Sequence, residues 1–170
     1  MNESVGPTLF VGSSIFEQWP GLTDTVEGPA LNLAVGGTTS RDWLTRLPPL
    51  LQQHNPRRVV CYVGSNDLAI SIALDETLAN ILRLATMTTA VCPFVYVQIL
   101  ATRARRENAD YLADLAMRLR HDLPADATMI DLYPALADNE AAFVQPDGVH
   151  LTPAAYAALS PALRAQLANL

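Results

Sequence analysis

The chain is expected to fold as a three-layer α/β unit around a parallel sheet. Five apolar runs each stop at a glycine or polar turn, and stretches with apolar residues at helical spacing separate them. No Pro/Gly/Ser-rich linker, internal repeat or low-complexity tract divides the 170 residues. One domain spanning residues 1–170 is therefore expected, large enough to bury a core without metal or disulfide staples.

Thr8–Val11 is the first strand candidate, ending at Gly12-Ser13-Ser14, and Ile15 to Trp19 follows as a brief helix closed by Pro20. Pro29–Val35 is the second, stopped by Gly36-Gly37. Thr38, Thr39 and Ser40 are N-cap candidates for a helix carrying Trp43, Leu44 and Leu47, and Pro48-Pro49 is expected to break it. Arg58–Val63 is the third strand and ends in Gly64-Ser65-Asn66-Asp67. From about Asp75, Leu78, Ile81, Leu82 and Ala85 follow a helical stripe. Phe94–Leu100, rich in β-branched and aromatic residues, is the fourth strand. Arg103, Arg105 and Arg106 then read as a solvated loop, with an anion-binding pocket rim as the alternative. A helix with Leu112, Leu115, Ala116 and Leu119 on one face precedes a weaker fifth strand, Thr128–Leu132. Thr152 as N-cap and Pro153 at the first helical position open a last helix with Tyr156, Leu159, Leu163 and Leu167 inward.

Composition narrows the function. Half of the residues are hydrophobic, 16% are charged, the formal net charge is −6, and all 11 basic residues are Arg. An acidic chain lacks the basic surface behind non-specific nucleic-acid affinity, so no nucleic-acid partner is expected. Without lysine there is no Schiff-base chemistry and no P-loop lysine. Cys61 and Cys92 lie in apolar runs and read as buried free thiols, and no His/Cys/carboxylate cluster has ligand spacing, so neither a metal nor a cofactor is expected. The Met1–Pro7 segment has neither a basic nor a long apolar stretch, and no apolar run reaches the ~20 residues of a membrane span. The expected setting is the cytoplasm, with a small-molecule partner. Trp43 and exposed apolar helix positions are the candidates for a homodimer contact.

In open parallel sheets, ligands bind beyond the carboxyl ends of the strands. Three strand ends carry glycine with a small polar residue, and all three should open on the same edge as the loop Asp147-Gly-Val-His150. A hydroxyl nucleophile needs a base in reach, and the base needs an orienting partner. Ser14 stands at the end of the first strand, expected to be central in the sheet, where a helix begins. Ser13 is an adjacent hydroxyl and the alternative. Oxyanion donors are available in the backbone N–H of Ser14, a backbone N–H of the Gly36-Gly37 turn, and the amide of Asn66. Of the three histidines, His54 lies in a polar helix end and His121 near a helix C-terminus. Only His150 has both a carboxylate, Asp147, at a short fixed spacing and an apolar helix behind it.

The blocks Gly12-Ser13-Ser14-Ile15, Asn32-Leu-Ala-Val-Gly36-Gly37, Gly64-Ser65-Asn66-Asp67 and Asp147-Gly-Val-His150-Leu151, in that order, resemble the four sequence blocks of the SGNH (GDSL-like) hydrolases. Leu31 to Leu47 looks most like the catalytic subunits of intracellular platelet-activating-factor acetylhydrolase. The resemblance implies a flavodoxin-like sandwich with a five-stranded parallel sheet. It also implies Ser14 as nucleophile, His150 as base and Asp147 as its partner, with the Ser14 and Gly37 N–H groups and the Asn66 side chain as the oxyanion hole. Ser13 stands where the family usually has Asp, and Ala34 where it commonly has Gly.

The expected activity is a serine esterase or acylhydrolase cleaving a short-chain, acetyl-like ester through an acyl-enzyme. An acyltransferase with the same serine chemistry is the first rival, and product analysis with acceptor alcohols separates the two. A non-enzymatic flavodoxin-like binding module is the second; it would not react with a fluorophosphonate. The chain contains no Gly-x-Ser-x-Gly nucleophile elbow.

Overall fold

The computed structural model describes residues 6–170. Residues 1–5, which carry most of the segment read above for a leader, lie outside the described residues. Five strands form one all-parallel sheet: β1 (Thr8–Gly12), β2 (Ala30–Asn32), β3 (Arg58–Tyr62), β4 (Phe94–Val97) and β5 (Ala127–Ile130). Their spatial order is β2-β1-β3-β4-β5. This is the expected fold class, with one correction: β3, not β1, is the central strand. The chain reverses its direction of winding between β1 and β3, and that switch point is where a crevice opens at the carboxyl edge.

The helices are α1 (Ser14–Glu17), α2 (Ser40–His54), α3 (Ser65–Ala69), α4 (Leu74–Thr89), α5 (Arg103–Arg106), α6 (Ala109–Asp122), α7 (Pro134–Ala137), α8 (Glu140–Phe143) and α9 (Pro153–Ala168), with a 3₁₀ turn at Leu22–Thr25. β1 and β4 are buried along their whole length, as strands covered on both faces must be. Successive side chains of β1 divide between two cores. Phe10 packs with Phe16, Trp19, Tyr156, Leu159 and Leu163 on the face covered by α1 and α9. Leu9 and Val11 pack with Trp43, Leu47, Ile81 and Leu84 on the face covered by α2 and α4.

Several local expectations are corrected. Helix α2 runs through Pro48 and Pro49 to His54. Trp43, Leu47 and Leu51 form its buried stripe, while Pro49 is exposed and Pro48 half-buried. Both prolines lie off that stripe, so the two backbone donors they remove are missing from the outer side of the helix rather than from its packed face. Trp43 is 1% exposed and donates Nε1–H to Thr38 Oγ1 at 2.9 Å, which removes it as a dimer contact. The edge strand β2 is shorter than Pro29–Val35, and β4 stops at Val97. The arginine-rich segment after β4 is the helical turn α5 rather than a loop. No helix among the described residues is long and apolar enough to cross a membrane.

Candidate active site

β1 ends where it must touch β3. At Gly12, with φ +144°, a Cβ would stand 2.2 Å from the Tyr62 carbonyl oxygen, so only glycine fits. Ser13 N–H then donates to Tyr62 O at 3.1 Å, and Ser13 O accepts from Phe16 and Glu17 N–H, starting α1. Ile15 and Phe16 bury into the core, where the Phe16 ring meets the edges of Phe10 and Trp19. The anchored side of this turn leaves Ser14 half-exposed at the carboxyl edge, whereas Ser13 is 2% exposed.

The Asp147–His150 turn reaches the same edge. Asp147 Oδ1 accepts from the N–H groups of Val149 (2.9 Å) and His150 (3.0 Å), and Gly148, at φ +76°, completes the turn. Gln145 N–H donates to His150 O at 2.8 Å, Gln145 Nε2 donates to Leu151 O at 2.8 Å, and α9 follows with Thr152 Oγ1 accepting from Ala155 N–H. Asp147 Oδ2 is 2.6 Å from His150 Nδ1, and His150 Nε2 is 3.1 Å from Ser14 Oγ. The bond from His150, helped by the two backbone N–H groups, lowers the Asp147 carboxyl to a pKa of about 2. An ionised carboxylate only accepts, so Nδ1 carries the proton and Nε2 presents a lone pair to the serine hydroxyl. The arrangement can move a proton from Ser14 to His150.

The second and third loops are bonded to each other and to the end of β1, next to Ser14. Asn66, in the first turn of α3, donates one amide N–H to Thr38 O at 2.8 Å, which fixes the amide plane and leaves the second N–H for another acceptor. Thr38 is itself held, with Oγ1 at 2.7 Å from Val35 O and 3.1 Å from Gly12 O. Gly37 has φ +78° and open space where a Cβ would stand, so its peptide can be approached closely. Asn32 ties this loop to the Ser14 turn: Nδ2 donates to Phe16 O at 2.7 Å, and Oδ1 accepts from Ala34 N–H. Ala34, at the position where glycine is common, packs against the core beside it.

The sequence profile of the GDSL-like lipase/acylhydrolase family matches residues 10–158, almost the whole chain. The chain belongs to that family. Its class is therefore that of the serine hydrolases. It is 27% identical over 154 residues to thioesterase 1/protease 1/lysophospholipase L1 of Escherichia coli K12, covering 86% of this chain and 73% of that one. Among solved structures it is similar to a Streptococcus pneumonia protein assigned as a platelet activating factor, at 20% identity and TM-score 0.79, covering 98% of this chain and 86% of that one. It is also similar to Axe2, an acetylxylan esterase from Geobacillus stearothermophilus, at 20% identity and TM-score 0.72, covering 95% and 94%.

The structure of this GDSL-like chain brings Ser14, Asp147, His150, Gly37 and Asn66 to one edge of the sheet. His54 ends α2, and His121 sits exposed in the last turn of α6, 2.6 Å from Asp122 Oδ1. Among the described residues no group of three or more His, Cys, Asp or Glu side chains could hold a metal ion. Two residues support the site through contacts that the sequence did not assign to them. Asp67 is fully buried and accepts from Ser40 N–H (2.9 Å), Ser40 Oγ and Thr77 Oγ1 (3.3 Å), tying the start of α2 to α3. Its position beside Asn66 at a helix start was the available signal. Arg105 is the other. It is buried, Arg103 is bonded to the carbonyl of Pro146, and Arg106 is paired with Glu140 and Tyr133, so the three do not form a solvated loop.

Proposed function

We propose that the chain is a serine esterase that removes short acyl groups, of the size of acetyl, through an acyl-enzyme. The observation that carries this reading is the continuous Ser14–His150–Asp147 hydrogen-bond chain, with spacings of 3.1 and 2.6 Å, beside the Asn66 amide. Ser14 Oγ attacks the ester carbonyl as His150 Nε2 takes its proton. The Ser14 and Gly37 N–H groups and the free Asn66 N–H receive the oxyanion, each donor contributing about 3 kcal/mol to lowering the barrier. His150 then returns the proton to the leaving alcohol. Water, deprotonated by His150, attacks the acyl-enzyme, and the acid and Ser14 are released. Asp147 holds the Nδ1–H tautomer and stabilises the imidazolium formed in each step.

Openness of the site supports a short acyl group. The His150 and Asp147 side chains keep 33% and 47% of their exposure, as on a surface cleft rather than in a tunnel. A cavity of about 650 Å³, lined by Arg57, Arg58 and Arg164 among others, lies at the opposite end of the strands. The acetylxylan esterase similarity adds acetylated sugars to the substrates worth testing. The two buried free thiols, Cys61 and Cys92, suit the reducing cytoplasm proposed as its setting.

The test is an acyl-chain-length series of p-nitrophenyl esters, with acetylated sugars included, run beside Ser14→Ala. The expected result is kcat/KM highest for acetyl and propionyl and falling beyond butyryl, with no turnover by Ser14→Ala. A rate that rises up to decanoyl overturns the short-acyl assignment, and near-full activity in Ser14→Ala overturns the mechanism.

A further inference from the structure

Helix α5 touches two of the loops that form the Ser14 site. On one side Ala104 N–H donates to Gly148 O at 3.1 Å, and Arg103 Nη2 donates to Pro146 O at 3.0 Å, both in the turn that carries His150. The packing there is tight, since a Cβ on Gly148 would come 3.1 Å from the Ala104 Cβ and 3.2 Å from its nitrogen. On the other side Arg105 Nε donates to Ser65 Oγ at 2.9 Å. Ser65 opens α3, and the next residue is Asn66.

Arg105 is 9% exposed, and among the described residues no carboxylate lies within ion-pair distance of it. A guanidinium without a counter-charge is a poor choice for filling space, where an apolar side chain of equal volume serves better. Its hydrogen bond is therefore the informative feature. Helix α3 has only five residues and little internal hydrogen bonding to fix its direction. Three consecutive side chains anchor it from outside: Ser65 to Arg105, Asn66 to Thr38, and Asp67 to Ser40.

We propose that Arg105 is a positioning residue for the oxyanion site, fixing the first turn of α3 through Ser65 and so aiming the free N–H of Asn66. This rests on the serine mechanism above. Misaiming one donor costs less than removing it, so the expected loss is about 10–100-fold in rate. The donor acts on the transition state and not on bound ester, so the loss falls on kcat.

The experiment uses the full chain, with active sites counted by stoichiometric reaction with a fluorophosphonate, and p-nitrophenyl acetate as substrate. Arg105→Gln should lower kcat per titrated site by about 10–100-fold and leave KM within about threefold. Arg105→Lys, which keeps a donor in reach of Ser65, should recover much of the loss. Ser65→Ala should reproduce it, and the double variant should be no slower than Arg105→Gln, because both changes break one link. A purely structural role would lower the titrated fraction and the melting temperature while kcat per site stayed at the wild-type value, and that result overturns the proposal. Multiplicative losses in the double variant also overturn it. Should Arg105→Gln fail to fold, an unchanged kcat per site in Ser65→Ala overturns it alone. Ser14→Ala separates the two levels: retained activity there sinks the serine mechanism, whereas an inactive Ser14→Ala beside an unimpaired Arg105→Gln sinks only this inference.

Discussion

Replacing Asp147 by Asn isolates its effect on the base from its effect on the fold. In the turn, Asp147 Oδ1 accepts two backbone N–H groups at 2.9 and 3.0 Å, and an amide oxygen can keep both. The other atom of the new amide, an NH₂, then faces His150 Nδ1 across the 2.6 Å gap now occupied by a carboxylate oxygen. A donor there forces Nδ1 to accept, which moves the ring proton to Nε2 and points it at Ser14 Oγ, 3.1 Å away. The base is then in the wrong tautomer, and the imidazolium loses its counter-charge. In triads built this way the loss is about 10⁴-fold in kcat, or about 5 kcal/mol of barrier. The side chain is 47% exposed and the backbone bonds survive, so the cost to folding should stay below about 1 kcal/mol. Steady-state hydrolysis of p-nitrophenyl acetate, paired with urea unfolding, reads both quantities. A kcat within tenfold of wild type, with a normal unfolding curve, would refute the assignment of Asp147 as the orienting partner.

Three further outcomes follow from the same contacts. Asp67→Ala strands the Ser40 and Thr77 donors in a fully buried position and should destabilise the fold by about 3–5 kcal/mol in urea unfolding; a change under about 1 kcal/mol would contradict the network. The folded Asp147 pKa of about 2 lies below its ordinary value near 4, so its contribution to stability is complete above about pH 4 and lost as pH falls towards 2. The gap in urea midpoint between wild type and Asp147→Asn should close over that window, and a gap independent of pH would refute it. Burial pushes the Cys61 thiol up and raises Cys92 to about 11, so at pH 8 neither should react with iodoacetamide until the chain is unfolded; fast labelling of native protein would show the burial to be wrong.

The strands were legible in the sequence because a sheet covered on both faces needs uninterrupted apolar runs, and Leu9 to Val11 and Val59 to Tyr62 are such runs. The Asp147–His150 turn was legible for a different reason: the contacts that pair its two side chains and shape it, from Asp147 to Val149 and His150, are local and span three residues. What failed depended on tertiary placement. Pro48 and Pro49 signal a helix break in any sequence, and only the solvent-facing side of α2 shows why the helix continues. Trp43 reads equally as a surface aromatic or a core residue until Thr38 is seen to take its N–H. Arg105 is the sharpest case. Composition treats arginine as a surface residue, and its burial beside Ser65 arises from the meeting of segments 40 residues apart. The position of β1 beside the centre of the sheet likewise comes from the crossover order, which no local pattern encodes.

Ser14 as the nucleophile is the claim on which the rest stands, and mapping the adduct of a fluorophosphonate by peptide mass spectrometry tests it most directly. The account predicts one phosphonyl group per chain, on Ser14, still formed in Ser13→Ala and absent in Ser14→Ala. An adduct on Ser13 or any other residue, or labelling that persists in Ser14→Ala, would contradict it.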